Sequence, residues 1–198
     1  MRQNRVDPFG TLHAVPQRGG WMGNRGCLHD AQGRIRRDHA TRRWITCRTA
    51  FRGRARALLQ PGRYTELFFL DEATAYAAGH RPCAECRHAD WTRFRDLWAE
   101  VLGDRDAEAI DRRLHAARLD AGSLTHRRRL VPLPVDQVPV GAMIARDGAA
   151  VLRAAGGWWR WGFAGYAPMA APAGQVTLLT PEPLARLMAL GLPVQVAI

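Results

Sequence analysis

The apolar pattern changes period several times along the chain, and each change marks an element. In "RRWITCRTAF" the side chains alternate, with Trp44, Thr46 and Arg48 on one face and Ile45, Cys47 and Thr49 on the other, which predicts a strand. "PGRYTELFFL" predicts a Pro-Gly turn and a second strand ending near Leu70. Its faces carry Thr65, Leu67 and Phe69 on one side and Tyr64, Glu66, Phe68 and Leu70 on the other. Asp71 is a good helix N-cap and Gly79 a natural terminator, so "EATAYAA" between them reads as a short helix. Two longer helices follow: Trp91, Phe94, Trp98 and Val101 make one stripe at helical spacing, and Ile110, Leu114 and Ala117 another. Beyond residue 139 the period returns to two. "AMIARDGAAVLRA" reads as strand, Asp-Gly turn and strand, "GGWWRWGF" adds a third strand and "QVTLL" a fourth. Thr180 caps a short helix that begins at Pro181 and stops at Gly191, and "PVQVAI" closes the chain as an edge strand.

These elements predict an α+β fold. A basic unit with helices spans residues 1–122, a linker 123–139, and a small β-meander unit with one helix 140–198. "PQRGGWMGNRGCLHD" has four glycines in eight residues and reads as a loop. In "WWRW" Trp158 and Trp159 point to opposite faces. They cover the core of the β unit or, if exposed, stack on unpaired bases.

Charge divides the chain unevenly. All 29 basic residues are arginines. Up to Arg63 there are 14 of them against Asp7, Asp30 and Asp38; from Tyr64 onward 15 arginines meet 15 acids, so the whole net charge of +11 lies in the first third. This asymmetry points to a polyanion, most simply DNA, with RNA as an alternative. Arginine grips phosphate with two parallel hydrogen bonds. The candidate contacts are Arg25, Arg34, Arg36, Arg37, Arg42, Arg43, Arg48, Arg52, Arg54 and Arg56, with a further basic patch at 127–129. No apolar run reaches about 18 residues, so no membrane helix is expected. "MRQNRVDPFG" lacks the apolar core of a secretory signal, and the expected location is the cytoplasm.

In that compartment the four cysteines fit metal ligands or ordinary buried thiols better than disulfides. "RPCAEC" places Cys83 and Cys86 on a turn, a spacing that aims two thiolates at one tetrahedral ion. No second Cys-x-x-Cys exists. "FFLDEATAYAAGHRPCAEC" resembles the second half of the zinc-binding domain of Ada-type DNA methylphosphotriester repair proteins, through Phe68–Phe69, the alanine-rich helix, Gly79, Arg81, Pro82, Cys83 and Cys86. The likeness covers residues 64–87. It implies a zinc fold that sits on DNA, with Cys47 as third ligand from the preceding strand. The family's other upstream cysteine, four positions away, is Phe51 here, so the resemblance does not extend to methyl transfer. The fourth ligand is left to Cys27, His29, His39 or His80. One structural zinc per chain is expected. Stretches such as "MGNRG" and "GHRPC" are also similar to a family of uncharacterised bacterial proteins, which implies no activity.

Catalysis has fewer anchors. Pro82-Cys83-x-x-Cys86 is similar to half of the zinc motif of nucleobase deaminases, but that motif needs an upstream His-x-Glu or Cys-x-Glu, and none is present. "GNRGCLHD" gathers Asn24, His29 and Asp30, a possible base with its orienter or a plain turn. Glu66, acidic within an apolar strand, is an edge residue, an arginine partner or a general acid/base. The reading that follows is a zinc-containing DNA-binding repair or processing enzyme of the hydrolase type. Glycosylase-like base excision is favoured over phosphodiester cleavage, and a non-enzymatic DNA-binding regulator is the alternative.

Overall fold

The computed structural model describes residues 1–53, 57–120 and 129–198. Two six-stranded sheets share four helices in an α+β architecture. The first sheet contains β1 (Arg5–Val6), β2 (Leu12–His13), β3 (Trp21–Asn24), β4 (Ile45–Arg48), β5 (Leu67–Phe69) and β6 (Arg81–Pro82), in the order β2-β1-β5-β3-β4-β6. β1 runs parallel to β5 and β4 parallel to β6; the remaining pairs are antiparallel. β3 falls inside the stretch read as a loop. Its Gly23 is needed there, because a Cβ would lie 2.3 Å from the Ile45 carbonyl oxygen on β4.

The second sheet is wholly antiparallel, in the order β11-β10-β9-β8-β12-β7. It is built from β7 (Val131–Pro134), β8 (Met143–Arg146), β9 (Ala149–Ala154), β10 (Gly157–Gly162), β11 (Gly165–Met169) and β12 (Gln175–Leu178). The Asp-Gly turn lies between β8 and β9, with Asp147 at φ 50° and Gly148 at φ 73°. β7 lies within the segment read as a linker; its prolines are tolerated because it is an edge strand. "PVQVAI" forms no strand. The amides of Gln195 and Ala197 donate instead to the carboxylates of Glu72 (3.0 Å) and Asp71 (3.0 Å).

Helix α1 (Glu72–Ala77) lies between the two sheets, and all six of its residues are buried. Ala75 packs with Leu67 and Phe69 of the first sheet, whereas Ala73 and Ala77 pack with Met143, Ala150 and Leu152 of the second. Small side chains let both sheets approach one helix. Asp71 caps it as the sequence predicts, accepting from the Thr74 amide at 2.8 Å. The same carboxylate accepts from the Tyr166 hydroxyl at 2.8 Å, which ties the second sheet to the helix start.

The largest apolar cluster takes Trp91, Phe94 and Trp98 from α2 (His88–Leu102) and Ile110 and Leu114 from α3 (Ala107–Arg118). It packs them against Ile144, Val151 and Trp158 of the second sheet and Leu184 and Leu187 of α4 (Glu182–Ala189). Trp158 is thus a core residue, and Trp161 packs beside α1 with its indole donating to Thr74 at 3.0 Å. No described helix is long and apolar enough to cross a membrane.

Candidate metal centre and its pocket

The first sheet assembles the thiols. β4 presents Cys47, and parallel pairing sets Thr46 opposite Pro82, so the chain leaves β6 straight into the Cys83–Cys86 turn. The Cys83 amide donates to the Thr46 carbonyl at 2.9 Å, and the Arg87 amide to the Cys83 carbonyl at 3.2 Å, which closes the turn before α2. Buried ion pairs fix the surroundings: Arg87 pairs with Glu72, and Arg81 makes a two-pronged pair with Asp111 at 2.8 and 2.7 Å. The ligand atoms of Cys47, Cys83 and Cys86 lie within 4.8 Å of one another. Three sulfurs about 2.3 Å from one ion would be roughly 3.8 Å apart, so the trio can hold a metal ion with little movement.

Their protonation is already divided. The hydrogen bond from the Cys47 thiol holds Cys83 down to about 5, helped by the backbone amides of Cys86 and Glu85. Donating that bond, with burial and the neighbouring sulfurs, pushes Cys47 far up, and burial raises Cys86. Cys83 is therefore the thiolate around which the other two sulfurs gather.

The candidate fourth ligands are placed elsewhere. Cys27 Sγ contacts the His29 carbonyl at 3.6 Å. His39 packs against Trp44 and His115, and His80 is buried edge-on to Phe69, with the Arg25 Nε donating to its Nε2 at 3.3 Å. His29 is also committed. Thr65 Oγ1 accepts from the Leu28 amide at 2.8 Å. The Gln60 carbonyl can only accept, so His29 Nε2 donates to it at 3.3 Å, and Nδ1 of the neutral ring then accepts from the Thr65 hydroxyl at 2.6 Å. Among the described residues the group placed to hold a metal ion is these three cysteines, Cys47, Cys83 and Cys86.

A cavity of about 250 Å³ is lined by all three cysteines and by Asn24 and Glu66. Sheet register explains the company. Cys47 pairs with Met22, Met22 with Phe68, and Ile45 with Asn24, so these side chains share one face with Glu66, two residues before Phe68. Phe51 and Tyr64 complete the wall. Glu66 is 3% exposed, and it pairs with no arginine among the described residues; its Oε2 accepts from the Leu59 amide at 2.9 Å. A second cavity, of about 660 Å³, shares Asn24, Ile45 and Tyr64 with the first and is flanked by Arg42, Arg43 and Arg112. The two cavities adjoin through these shared residues; the first carries the thiols and Glu66, and the second three arginines beside the acids Glu108 and Asp111.

The other candidates separate. Asp30 does not orient His29; it accepts from the Gln32 and Arg34 amides and the Arg34 side chain, bonds that hold its carboxyl below the usual range. Arg34, Arg36, Arg37, Arg42, Arg43, Arg48 and Arg52 are exposed. Arg54 and Arg56 lie outside the described residues, as do two of the three arginines at 127–129. Arg25 is not a surface contact. It is 1% exposed, lies 4.2 Å from the centre of the Trp44 ring, and donates to the Gly10 carbonyl at 2.9 Å. Arg118 stacks on Trp44 at the same 4.2 Å. The sequence treated Arg25 as solvent-facing because a glycine-rich loop gives no sign that an aromatic face will cover it.

No protein-family model, no curated protein and no solved structure matches the chain.

Proposed function

We propose that the protein is a zinc-containing enzyme that binds DNA along its basic groove and acts on a base, in a repair or processing setting. One observation carries the reading: a cavity lined by a three-cysteine cluster and a buried carboxylate adjoins, through Asn24, Ile45 and Tyr64, a second cavity flanked by exposed arginines. Three thiolates with tetrahedral reach suit zinc among the common divalent ions. The resemblance of residues 64–87 to an Ada-type zinc unit supports the same ion and the same polyanion. Held there, zinc would supply a Lewis acid with one open position, able to make a water acidic near neutral pH.

The chain's own residues divide the remaining work. Arg42, Arg43 and Arg112 hold phosphates at the basic end, Phe51, Tyr64 and Phe68 wall a flat ring, and Glu66 handles protons. A regulator reading base edges in a groove has no use for a carboxylate sequestered behind a thiol cluster. Metal analysis should find one zinc per chain, and oligonucleotide affinity should fall steeply with salt. A metal-free protein, or an affinity indifferent to salt, would remove this reading. Sequence-specific binding with every base left intact would favour the regulator, and RNA outcompeting strand-matched DNA would move the substrate to RNA.

A further inference from the structure

We infer that the cysteine cluster and Glu66 form one catalytic centre, which removes an exocyclic amine from a base by hydrolysis. The inference rests on the reading above and specifies its reaction. It departs from the expectation of a purely structural zinc, and from base excision.

Depth decides which bond is attacked. Glu66, Cys47 and Cys83 are 3%, 7% and 8% exposed, whereas the arginines that would hold phosphate lie on the open rim. A nucleotide anchored by its phosphates at the rim keeps its sugar, and therefore its glycosidic bond, at the mouth. Only the far edge of the base reaches the floor, where amines are carried. β4 and β5 flank β3, so Cys47 on β4 and Glu66, just before β5, are two strand spacings or about 10 Å apart across the sheet. Met22 and Asn24 of β3 stand between them as the cavity floor on which a planar ring would lie. The apolar walls from Met22, Phe51 and Phe68 suit such a ring.

Charge decides what is refused. A divalent ion on three thiolates keeps one net negative charge, and among the described residues lining the same cavity Glu66 and Glu85 stand against one cation, Arg48 at the rim. A phosphodiester anion is repelled from that floor, and a neutral amine-bearing ring is not.

The proton path is available. Glu66 spends Oε2 on the Leu59 amide, while its other oxygen has no partner among the described residues. The reaction balances with water as sole co-reactant. Its oxygen bonds to the amine-bearing carbon, and the carbon–nitrogen bond breaks. Of its two protons, relayed by Glu66, one goes to a ring nitrogen and one to the departing ammonia. Cys83-Ala84-Glu85 does place a glutamate two residues after one sulfur, but Glu85 is exposed. The signature for this chemistry needs its glutamate beside a ligand upstream of the Cys-x-x-Cys pair, where none is present; here the sheet brings in the buried Glu66, just before β5, instead.

The test uses the full-length zinc protein and single-stranded oligonucleotides, whose amines are not masked by pairing. Ammonia release, with the matching change of amine to carbonyl by mass spectrometry, is the expected result. A second readout needs no turnover. Oligonucleotides carrying pyrimidin-2-one or unsubstituted purine add water where the amine would sit and have nothing to expel. At least one should bind about 100-fold or more tighter than its amine-bearing parent and change the visible spectrum of cobalt-substituted protein. Glu66→Gln keeps an acceptor for the Leu59 amide, and should lose most of that advantage while retaining its melting temperature and DNA affinity. Alkali-labile abasic sites or backbone nicks in place of ammonia would overturn the inference. So would zinc and DNA binding with neither ammonia nor tighter analogue binding. Failure to bind zinc or DNA would instead overturn the parent reading, and this inference with it.

Discussion

Cys83 concentrates the chemistry of the first sheet at a single sulfur. Its pKa falls from an ordinary 9.0 to about 5 when the metal-free chain folds, so between those values the unfolded chain holds a proton that the folded one has released. Stability conferred by Cys83 is present above that window and is lost as pH falls through 5. Cys47 and Cys86 are shifted upward, so above 9 the folded chain keeps protons that the unfolded one loses, and stability turns down again. Thermal melts in chelator should therefore peak near the alkaline end of the window; a flat profile would show that the sulfurs do not interact. Cys83→Ser should abolish zinc binding and lower the melting temperature by about 10 °C, corresponding to about 4 kcal/mol when zinc stands a thousandfold above its Kd. Calorimetry with zinc titration checks it. Cys83 and Cys86 were legible as a pair from their spacing, and Cys47 as their companion through the resemblance of residues 64–87; the structure brings the three sulfurs together. The fourth position was not legible, because whether His29 or His80 reaches the metal depends on Thr65, Gln60 and Arg25, which lie far away in the chain.

Among the elements, α1 carries the most for its length. Asp71 satisfies the Thr74 amide and hydroxyl, the Tyr166 hydroxyl and the Ala197 amide, four donors from three parts of the chain. Asp71→Ala removes the cap and strands buried donors, and should cost about 2–4 kcal/mol in urea unfolding. A destabilisation no larger than that of an exposed cap would mean that the C-terminal segment does not depend on the helix. The helix and its cap were readable, since capping chemistry is local. The strand expected at "PVQVAI" was not, because its alternation suits a strand while Asp71 and Glu72 capture two of its amides. β3 was hidden for the opposite reason: Gly23 weakens the strand signal, yet is needed for close approach to Ile45. With β3 unseen, the faces bearing Cys47 and Glu66 could each be read from alternation, but not placed side by side.

At the scale of the molecule, two arginine populations have different jobs. Charge counting treats Arg25, Arg42 and Arg43 alike, and the apolar stripes of α2 and α3 say that they face a core without saying whose. The fold separates the arginines: Arg42 and Arg43 border the open groove, and Arg25 lies against Trp44 in the interior. Salt dependence distinguishes the two roles. Every phosphate that the protein ceases to neutralise reduces the slope of log affinity against log salt by about 0.7–0.9. Arg42→Gln and Arg43→Gln should each lower that slope by about this amount and leave the melting temperature nearly unchanged, because exposed charges contribute little to stability. Arg43 also lies 3.8 Å from Asp111, but Arg81 holds that carboxylate with two shorter hydrogen bonds, so the Arg43 variant leaves Asp111 paired. Arg25→Gln should do the reverse, lowering the melting temperature and leaving the slope intact, since the guanidinium stacked on Trp44 is withdrawn from the groove. Equal slopes for wild type and both groove variants would move the proposed DNA path off this face, and would leave the thiol pocket without the phosphate-holding rim proposed for it.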